Sequence, residues 1–195
     1  MTGYTYDEVG NQKTSTNFNG EGAADDVLST YAYDGFGRLE GKTVERGGAS
    51  GTPLFSQEYV LDDDGQRLKS QETLPGGAET DITWKYDDLK RLTKETYNSS
   101  NDSLDFIDEY AFDLNSNRLI KKHDAGGDGS VDVRTRYVYN DRDELTSDGP
   151  DANNDGVIDA GQATTYSYDA NGSTTSVTAT GATKQYKWDL RNRML

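Results

Sequence analysis

Residues 31–39 read YAYDGFGRL, and the recurrence of this pattern decides the fold. Its core is a pair of aromatic residues separated by one residue and followed by an Asp or Asn, and in five copies a Gly or Asn stands three positions later. Copies begin near residues 4, 31, 59, 84, 110, 137, 166 and 186. We therefore predict a single array of about eight repeats across residues 1–195.

Each part of the pattern has a role in a β-hairpin. Tyr31 and Tyr33 are two residues apart, so their side chains lie on the same face of a strand. Asp34 can accept hydrogen bonds from the backbone that follows it and so begin a turn. Gly37 suits a left-handed conformation that ends a tight hairpin loop, and Leu39 begins the return strand. Equivalent left-handed positions are predicted at Gly10, Gly65, Gly172 and Asn192, whereas Lys90 fits this conformation less well.

The arrangement of the aromatic residues outweighs a composition that would otherwise indicate disorder. Leu, Ile, Val and Phe together number 32 of the 195 residues, and the formal net charge is −15. These values are typical of disordered chains. However, 15 of the 20 Tyr, Trp and Phe residues occupy the paired aromatic positions of the repeats. We therefore predict an all-β fold in which tandem antiparallel β-hairpins form one curled or spiralling sheet of about 15 strands.

The pattern closely resembles the YD-repeat, or RHS, family over essentially the whole chain, through its Y-x-Y-D-x-x-G-R-L core and its spacing. The resemblance implies a large hollow β-shell. Bacterial members of the family enclose a C-terminal toxin in such a shell, and related animal proteins use it as an extracellular adhesion scaffold. Bacterial members often end in a core rich in D-P-x-G motifs that is linked to self-cleavage. Because no Asp-Pro pair occurs here, we expect neither the self-cleaving core nor a toxin domain in these residues.

The resemblance also implies partners and a location. We expect a non-catalytic shell segment from a parent protein that is secreted or at the cell surface, with the rest of the parent shell and an enclosed polypeptide as partners. One alternative is an extracellular adhesion module that binds carbohydrate or protein and is stabilised by calcium; another is a calcium-dependent surface stalk. The two edges of a truncated sheet predict edge-to-edge self-association.

The charge and composition exclude several function classes. Nucleic acid is excluded as a partner because phosphate binding needs clustered Lys and Arg. Membrane insertion is excluded because no apolar run approaches about 20 residues. The chain has no cysteine, so disulfide and thiolate chemistry are excluded. No signal peptide is evident at the N-terminus, which leaves either a cytosolic protein or a piece of a longer chain. Because the chain begins and ends inside repeats, we expect a segment of a longer protein.

The sequence gives no catalytic signature, and we predict that the chain is not an enzyme. His123 is the only histidine, which excludes sites that need several histidines. We expect it to be a solvated residue at a strand end. No G-x-S-x-G element occurs, and the repeated Asp already has a turn-forming role.

Arginine recurs near the end of the pattern and has two interpretations. The arginines could form a row that binds a ligand, or they could pair with neighbouring Asp or stack on Tyr along the sheet. We favour the second interpretation. The residues concerned are Arg38, Arg67, Arg91, Arg118 and Arg193.

One connection between repeats resembles a calcium loop. Residues 151–159 read DANNDGVID. In a loop of the EF-hand type, oxygen ligands occupy alternate positions from the first, a Gly makes the sharp turn at the sixth and a backbone carbonyl serves at the seventh. Gln162 stands at position 12 in place of the bidentate Glu, which predicts modest affinity. The candidate calcium ligands are Asp151, Asn153, Asp155, the carbonyl of Val157, and Asp159.

Residues 124–132 read DAGGDGSVD and form a weaker copy, because Gly126 at the third position offers no side chain. The alternative for both loops is that Asp, Asn and Gly are ordinary turn residues in solvated acidic connections. Calcium would stiffen the loops without doing chemistry. The candidate ligands of this second loop are Asp124, Asp128, Ser130 and Asp132.

Overall fold

The computed structural model describes residues 2–18, 25–47 and 51–195, and β-strands account for nearly all of the regular structure in these ranges. The one helical element among them is a short 3₁₀ turn, Asp102–Leu104. None of the helical structure in the described ranges is long or apolar enough to cross a membrane. The strands are β1 Thr2–Tyr6, β2 Gln12–Asn17, β3 Val27–Tyr33, β4 Leu39–Arg46, β5 Thr52–Leu61, β6 Arg67–Thr73, β7 Glu79–Tyr86, β8 Leu92–Ser99, β9 Phe106–Phe112, β10 Arg118–Ala125, β11 Val133–Tyr139, β12 Leu145–Pro150, β13 Thr164–Tyr168, β14 Thr174–Ala179 and β15 Ala182–Gln185.

The strands follow one another in the sheet in the same order as in the chain, from β1 to β15, and they are antiparallel. The predicted all-β class and the tandem hairpin arrangement are therefore confirmed. The chain has two compact units, Met1–Phe106 and Ile107–Leu195. Because the turn residues of the repeats lie at 7, 34, 62, 87, 113, 140, 169 and 189, each unit contains four of these repeat turns.

A register shift beside the second aromatic residue sets the geometry of the hairpins. Tyr33 pairs with Leu39, and the register shifts between Ala32 and Tyr33. Such a β-bulge bends the strand and increases its local twist. The turn is closed by the Asp34 N–H, which donates to the Arg38 carbonyl at 2.9 Å. The same shift precedes Tyr6, Leu61, Tyr86, Tyr139 and Tyr168.

All eight turns place a residue with positive φ three positions after the Asp or Asn. Lys90 adopts this conformation with φ 64° although its side chain suits it poorly, and Ser116 and Asp143 adopt it without having been predicted. The Lys90 N–H donates to the Asp87 carbonyl at 2.9 Å, and the equivalent bond recurs in every turn, so the turn imposes the conformation on whatever residue stands there. The predicted left-handed positions Gly10, Gly37, Gly65, Gly172 and Asn192 are confirmed.

The aromatic pairs lie on one face of each hairpin, as predicted. In the seven repeats after the first, both members of the pair are half-buried and the residue between them is exposed, as for Tyr31, Ala32 and Tyr33. Tyr4 and Tyr6 in the first strand are 56% and 61% exposed. No hydrophobic residue in the described ranges is fully buried. Half-buried aromatic rows and hydrogen bonds between repeats therefore stabilise the sheet.

Candidate functional sites in the turns and acidic loops

The Asp or Asn side chain of each repeat organises its turn. Oδ1 of Asp34 accepts the backbone N–H groups of Phe36 and Arg38 at 2.9 and 2.8 Å. In the Asp113 turn, Oδ1 accepts the Asn117 N–H at 2.8 Å. Both bonds recur at Asp7, Asp62, Asp87, Asn140, Asp169 and Asp189.

Hydrogen bonds keep several turn carboxylates ionised. The pKa of Asp87 is lowered, chiefly by the hydrogen bond from the Arg91 backbone N–H and further by the Arg91 guanidinium. Desolvation acts in the opposite direction but is outweighed. The Arg193 side chain and backbone likewise lower the pKa of Asp189. A general acid that works near neutral pH needs a raised carboxyl pKa. These groups are shifted in the opposite direction, as a structural acceptor would be.

The repeated arginines fall into two sets with different contacts. Arg38 stands four positions after Asp34, and its Nε lies 2.5 Å from the Asp34 Oδ2. Arg67 stands five positions after Asp62, and its guanidinium lies over the Tyr59 ring at 4.3 Å from the centroid. The interpretation of pairing with Asp and stacking on Tyr is therefore confirmed. Arg91 and Arg193 belong to the first set, and Arg118, which stacks over Tyr137 at 4.4 Å, belongs to the second.

The second aromatic residue ties its repeat to the one before it. The Tyr86 hydroxyl donates to the Arg67 carbonyl at 2.9 Å, and that carbonyl stands five positions after Asp62 of the previous turn. Sequence reasoning missed this bond, although a preference for Tyr or Trp over Phe at this position was an available signal. The equivalent backbone carbonyl accepts a hydrogen bond of 2.7–3.2 Å in four other repeats. The donors and acceptors are the Tyr33 hydroxyl and Gln12, the Tyr139 hydroxyl and Arg118, the Tyr168 hydroxyl and Leu145, and the Trp188 indole N–H and Thr174.

Neighbouring turns are also linked through the residue four positions after the Asp. Nη1 of Arg38 donates to the Asp62 carbonyl of the next turn at 2.8 Å. Nε2 of Gln66 donates to the Lys90 carbonyl at 3.1 Å. In the second unit, Nδ2 of Asn117 donates to Oδ1 of Asp143 at 2.7 Å. These bonds link the Asp34, Asp62 and Asp87 turns of the first unit and the Asp113 and Asn140 turns of the second.

The 151–159 loop lies between β12 and β13 and closes through backbone bonds. The Asp159 N–H donates to the Pro150 carbonyl at 2.7 Å, and the Asn154 N–H donates to the Asp151 carbonyl at 3.3 Å. Asp151 is only 1% exposed. Its Oδ1 is buried and has no hydrogen-bond partner among the described residues.

The far side of this loop folds back over Gly149. A Cβ on Gly149 would lie 2.5 Å from Cγ2 of Ile158 and 3.0 Å from the Gln162 carbonyl oxygen, so only Gly fits there. Gly156 has φ 88° at the sharp turn. The Arg136 guanidinium approaches this Gly, with Nη2 at 3.4 Å from where a Cβ would stand.

The tip of the 151–159 loop is exposed and bonded to itself. Nδ2 of Asn153 donates to Oδ2 of Asp155 at 2.9 Å, and the Asp155 N–H donates to Oδ1 of Asn153 at 3.1 Å. The Val157 N–H donates to Oδ1 of Asp155 at 2.8 Å. Oδ2 of Asp159 accepts a long bond from the Ala152 N–H at 3.4 Å.

The 124–132 loop has the same closure but a different first carboxylate. The Asp132 N–H donates to the His123 carbonyl at 2.9 Å, which matches the Asp159 bond in the other loop. Asp124 is 5% exposed, and its two oxygens accept the N–H groups of Asp128 at 3.2 Å and Gly129 at 2.8 Å. The Ser130 N–H donates to Oδ1 of Asp128 at 2.8 Å.

In the described part of the chain, no three His, Cys, Asp or Glu side chains converge as a metal site built from those residues requires. The 151–159 pattern also includes the Asn153 side chain and the Val157 carbonyl, which are ligands of other kinds. Calcium at either loop therefore stays a prediction.

The prediction that His123 is a solvated residue at a strand end is wrong. It lies within β10, and its Nδ1 is 2.7 Å from Oδ1 of Asp108 on β9. Asp108 is 6% exposed, and its Oδ2 also accepts from Lys121 Nζ at 2.8 Å and from the Tyr110 hydroxyl at 3.2 Å. Burial raises the pKa of Asp108, but hydrogen bonds from Lys121 and His123 outweigh it, and the net shift is downward. The sequence could not show this cluster, because its members meet only through strand pairing.

Comparisons with known proteins find similarity in solved structures only. No family model and no curated protein matches the chain. The structure of the Photorhabdus luminescens Tc holotoxin pore matches with a TM-score of 0.68 at 20% identity, covering 100% of this chain and 10% of that one. The crystal structure of TcdB2-TccC3-TEV matches with a TM-score of 0.67 at 18% identity, and that of TcdB2-TccC3 with 0.66 at 17%; each match covers 95% of this chain.

These matches establish a shared fold. The fold is that of segments of these toxin chains, so the structural likeness expected from the repeats is confirmed at the level of the fold. The chain spans about a tenth of the length of the chains that it matches.

Proposed function

We propose that this chain is a non-catalytic structural segment of a larger β-shell that encloses a polypeptide. The observation that carries the proposal is the bond from the second aromatic residue to the preceding repeat, such as Tyr86 to the Arg67 carbonyl at 2.9 Å. Through this bond, one repeat supplies a hydrogen-bond acceptor to the repeat that follows it. Such an array gains stability by extension, because each unit is completed by its neighbour.

Among the described residues, the repeated Asp, Tyr and Arg side chains that could do chemistry hold the sheet together in several repeats. Asp34 accepts backbone donors and pairs with Arg38. The Tyr86 hydroxyl bonds to a carbonyl, and Arg67 stacks on Tyr59. An active site instead needs groups that are free to contact a substrate. This distribution favours a structural role.

The fold likeness to segments of Tc toxin chains supports a place in a larger assembly. We propose that the parent protein is secreted or displayed at the cell surface, and that its other repeats continue the sheet. The enclosed polypeptide would be a separate segment of the parent. In isolation, the two edges of this segment would pair between molecules.

Limited proteolysis of the parent protein tests enclosure. The expected result is that a segment outside the repeats is cleaved at least ten-fold more slowly in the intact protein than as an isolated polypeptide. Equal cleavage rates would contradict the proposal. Light scattering of this chain over a range of concentrations tests the edges, because pairing predicts a mass that rises with concentration.

A second candidate function is extracellular adhesion through carbohydrate. Tyr166, Tyr168, Tyr186 and Trp188 line an open groove in the second unit, and aromatic ring faces are suited to sugars. Against it, the Trp188 indole N–H and the Tyr168 hydroxyl already bond to backbone carbonyls at 2.7 and 2.9 Å. A glycan array decides the question: adhesion predicts binding that is lost in Trp188→Ala and kept in Trp84→Ala.

A further inference from the structure

The carboxylate of Asp151 is an unsatisfied buried group. The residue is 1% exposed, and within the described residues its Oδ1 has no hydrogen-bond partner. Burying a carboxylate oxygen without a donor is costly, and native proteins almost always supply a donor, a paired charge or a metal ion. Among the described residues nothing supplies such a partner to Asp151 Oδ1, and a bound cation would supply it.

The residues that follow Asp151 supply the other oxygen ligands that a hard cation needs. Asn153, Asp155 and Asp159 stand at positions 3, 5 and 9 of the loop, and the Val157 carbonyl stands at position 7. Calcium takes six to eight oxygen ligands in flexible geometry, from carboxylates, amides, carbonyls and water. The burial of Asp151 leaves a carboxylate oxygen available to a cation, and the sequence pattern, which is an independent observation, indicates calcium as that cation.

The 124–132 loop shows what the same backbone does when the first carboxylate is satisfied. It shares the closing bond, from Asp132 N–H to His123 and from Asp159 N–H to Pro150. There, however, Asp124 accepts two backbone N–H groups, at 3.2 and 2.8 Å. The amide of Asp155, which is equivalent to that of Asp128, donates instead to Asn153. The two loops therefore differ in whether the buried carboxylate needs a cation.

The charge of the 151–159 loop is compatible with binding. Asp151, Asp155 and Asp159 carry three negative charges, and Arg136 near Gly156 carries one positive charge, so two negative charges remain. Asn153 and Asp155 are exposed and bonded mainly to each other and to nearby amides, so they can turn toward an ion at little cost.

We propose that the 151–159 loop binds one calcium ion through Asp151, Asn153, Asp155, the Val157 carbonyl and Asp159, and that the 124–132 loop closes on its own amides without an ion. The ion stiffens the connection between β12 and β13. This inference does not depend on the shell function, because it concerns the loop alone.

Isothermal titration calorimetry and thermal melting of the full chain, in EDTA and in about 5 mM calcium chloride, test the proposal. The wild type should bind one calcium ion and melt about 3 °C higher in calcium. The affinity of Asp151→Asn for calcium should be at least ten-fold lower than that of the wild type. In EDTA this variant should melt no lower than the wild type, because it removes an uncompensated buried charge.

Asp124→Asn is the matched control, since it changes the equivalent carboxylate of the other loop. It should bind calcium as the wild type does, and it should melt lower in both buffers, because it weakens the acceptor of two backbone donors. Asn153→Ala covers the case in which Asp151→Asn does not fold. This variant changes an exposed side chain, and it should weaken calcium binding roughly ten-fold with an unchanged melting temperature in EDTA.

No calcium binding by the wild type would overturn the proposal. So would equal affinity in Asp151→Asn or, where that variant does not fold, in Asn153→Ala. If only Asp124→Asn lost calcium binding, the ion would belong to the 124–132 loop, and the proposal would again be overturned.

Discussion

The hydroxyl of Tyr86 donates a hydrogen bond of 2.9 Å to the carbonyl of Arg67, and this bond crosses from one repeat to the previous one. It recurs wherever a Tyr or Trp stands at the second aromatic position after the first repeat. Leu61 and Phe112 occupy the two remaining positions and have no such donor. The aromatic pair therefore provides apolar cover and also links the repeats.

Tyr86→Phe should lower the free energy of unfolding by about 1 kcal/mol, because it removes one hydrogen bond and leaves a carbonyl with one fewer donor. Tyr59→Phe is the control, since the Tyr59 ring carries the Arg67 stack and survives the change. Urea unfolding measures both variants. If the two substitutions cost the same, the hydroxyl bond does not contribute as stated.

Gly10→Ala should destabilise the first turn by about 1–2 kcal/mol, because Gly10 has φ 93° and an L side chain is strained there. No atom lies within 4 Å of the added Cβ, so the cost isolates backbone strain from crowding. Gly35→Ala adds a methyl group to an equally open position with ordinary backbone and should be nearly neutral. Equal effects in thermal melts would show that the left-handed conformation is not what Gly10 provides.

Asp87 should contribute to acid sensitivity. Its pKa is below the usual 3.8, chiefly through the Arg91 backbone N–H, so its contribution to stability is present above pH 3.8 and is lost as the pH falls through the folded-state pKa. Asp87→Asn should retain the turn, because Asn140 accepts the equivalent two N–H groups at 2.9 and 3.0 Å.

The measurement is the free energy of unfolding at several pH values below 4. Asp87→Asn should lose less stability than the wild type over this interval. Asp88→Asn removes the same charge at the next position and should follow the wild-type curve. If the free energy of unfolding of Asp87→Asn fell with pH as steeply as that of the wild type, Asp87 would not contribute to acid sensitivity as stated.

Asp108→Asn should destabilise the second unit by about 2 kcal/mol at neutral pH, because Asp108 is 6% exposed and accepts from Lys121, His123 and Tyr110. Glu109→Gln alters the neighbouring, more exposed pair with Lys122 and should cost less than about 1 kcal/mol. Chemical denaturation compares them. A larger cost for the exposed pair would contradict this ranking.

Much of the fold could be predicted because its determinants are local. Tyr31 and Tyr33 are spaced for one face of a strand, and Asp34 and Gly37 supply an acceptor and a left-handed residue within one turn. Ser116 and Asp143 escaped prediction because the turn's hydrogen bonds, and not the side chain, force their conformation.

The sequence by itself determined the repeat, the hairpins and their order, since these depend on residues within one short segment. It also marked Asp151 and Asp124 as equivalent first positions of two acidic loops. Only the tertiary structure distinguished them: the Asp124 carboxylate accepts two backbone N–H groups, and Asp151 has a buried oxygen to which no described residue donates. The contacts of Asp108 with His123 and of Tyr86 with Arg67 were likewise decided by strand pairing. Such contacts depend on the register and packing of neighbouring strands, which spacing along the chain does not specify.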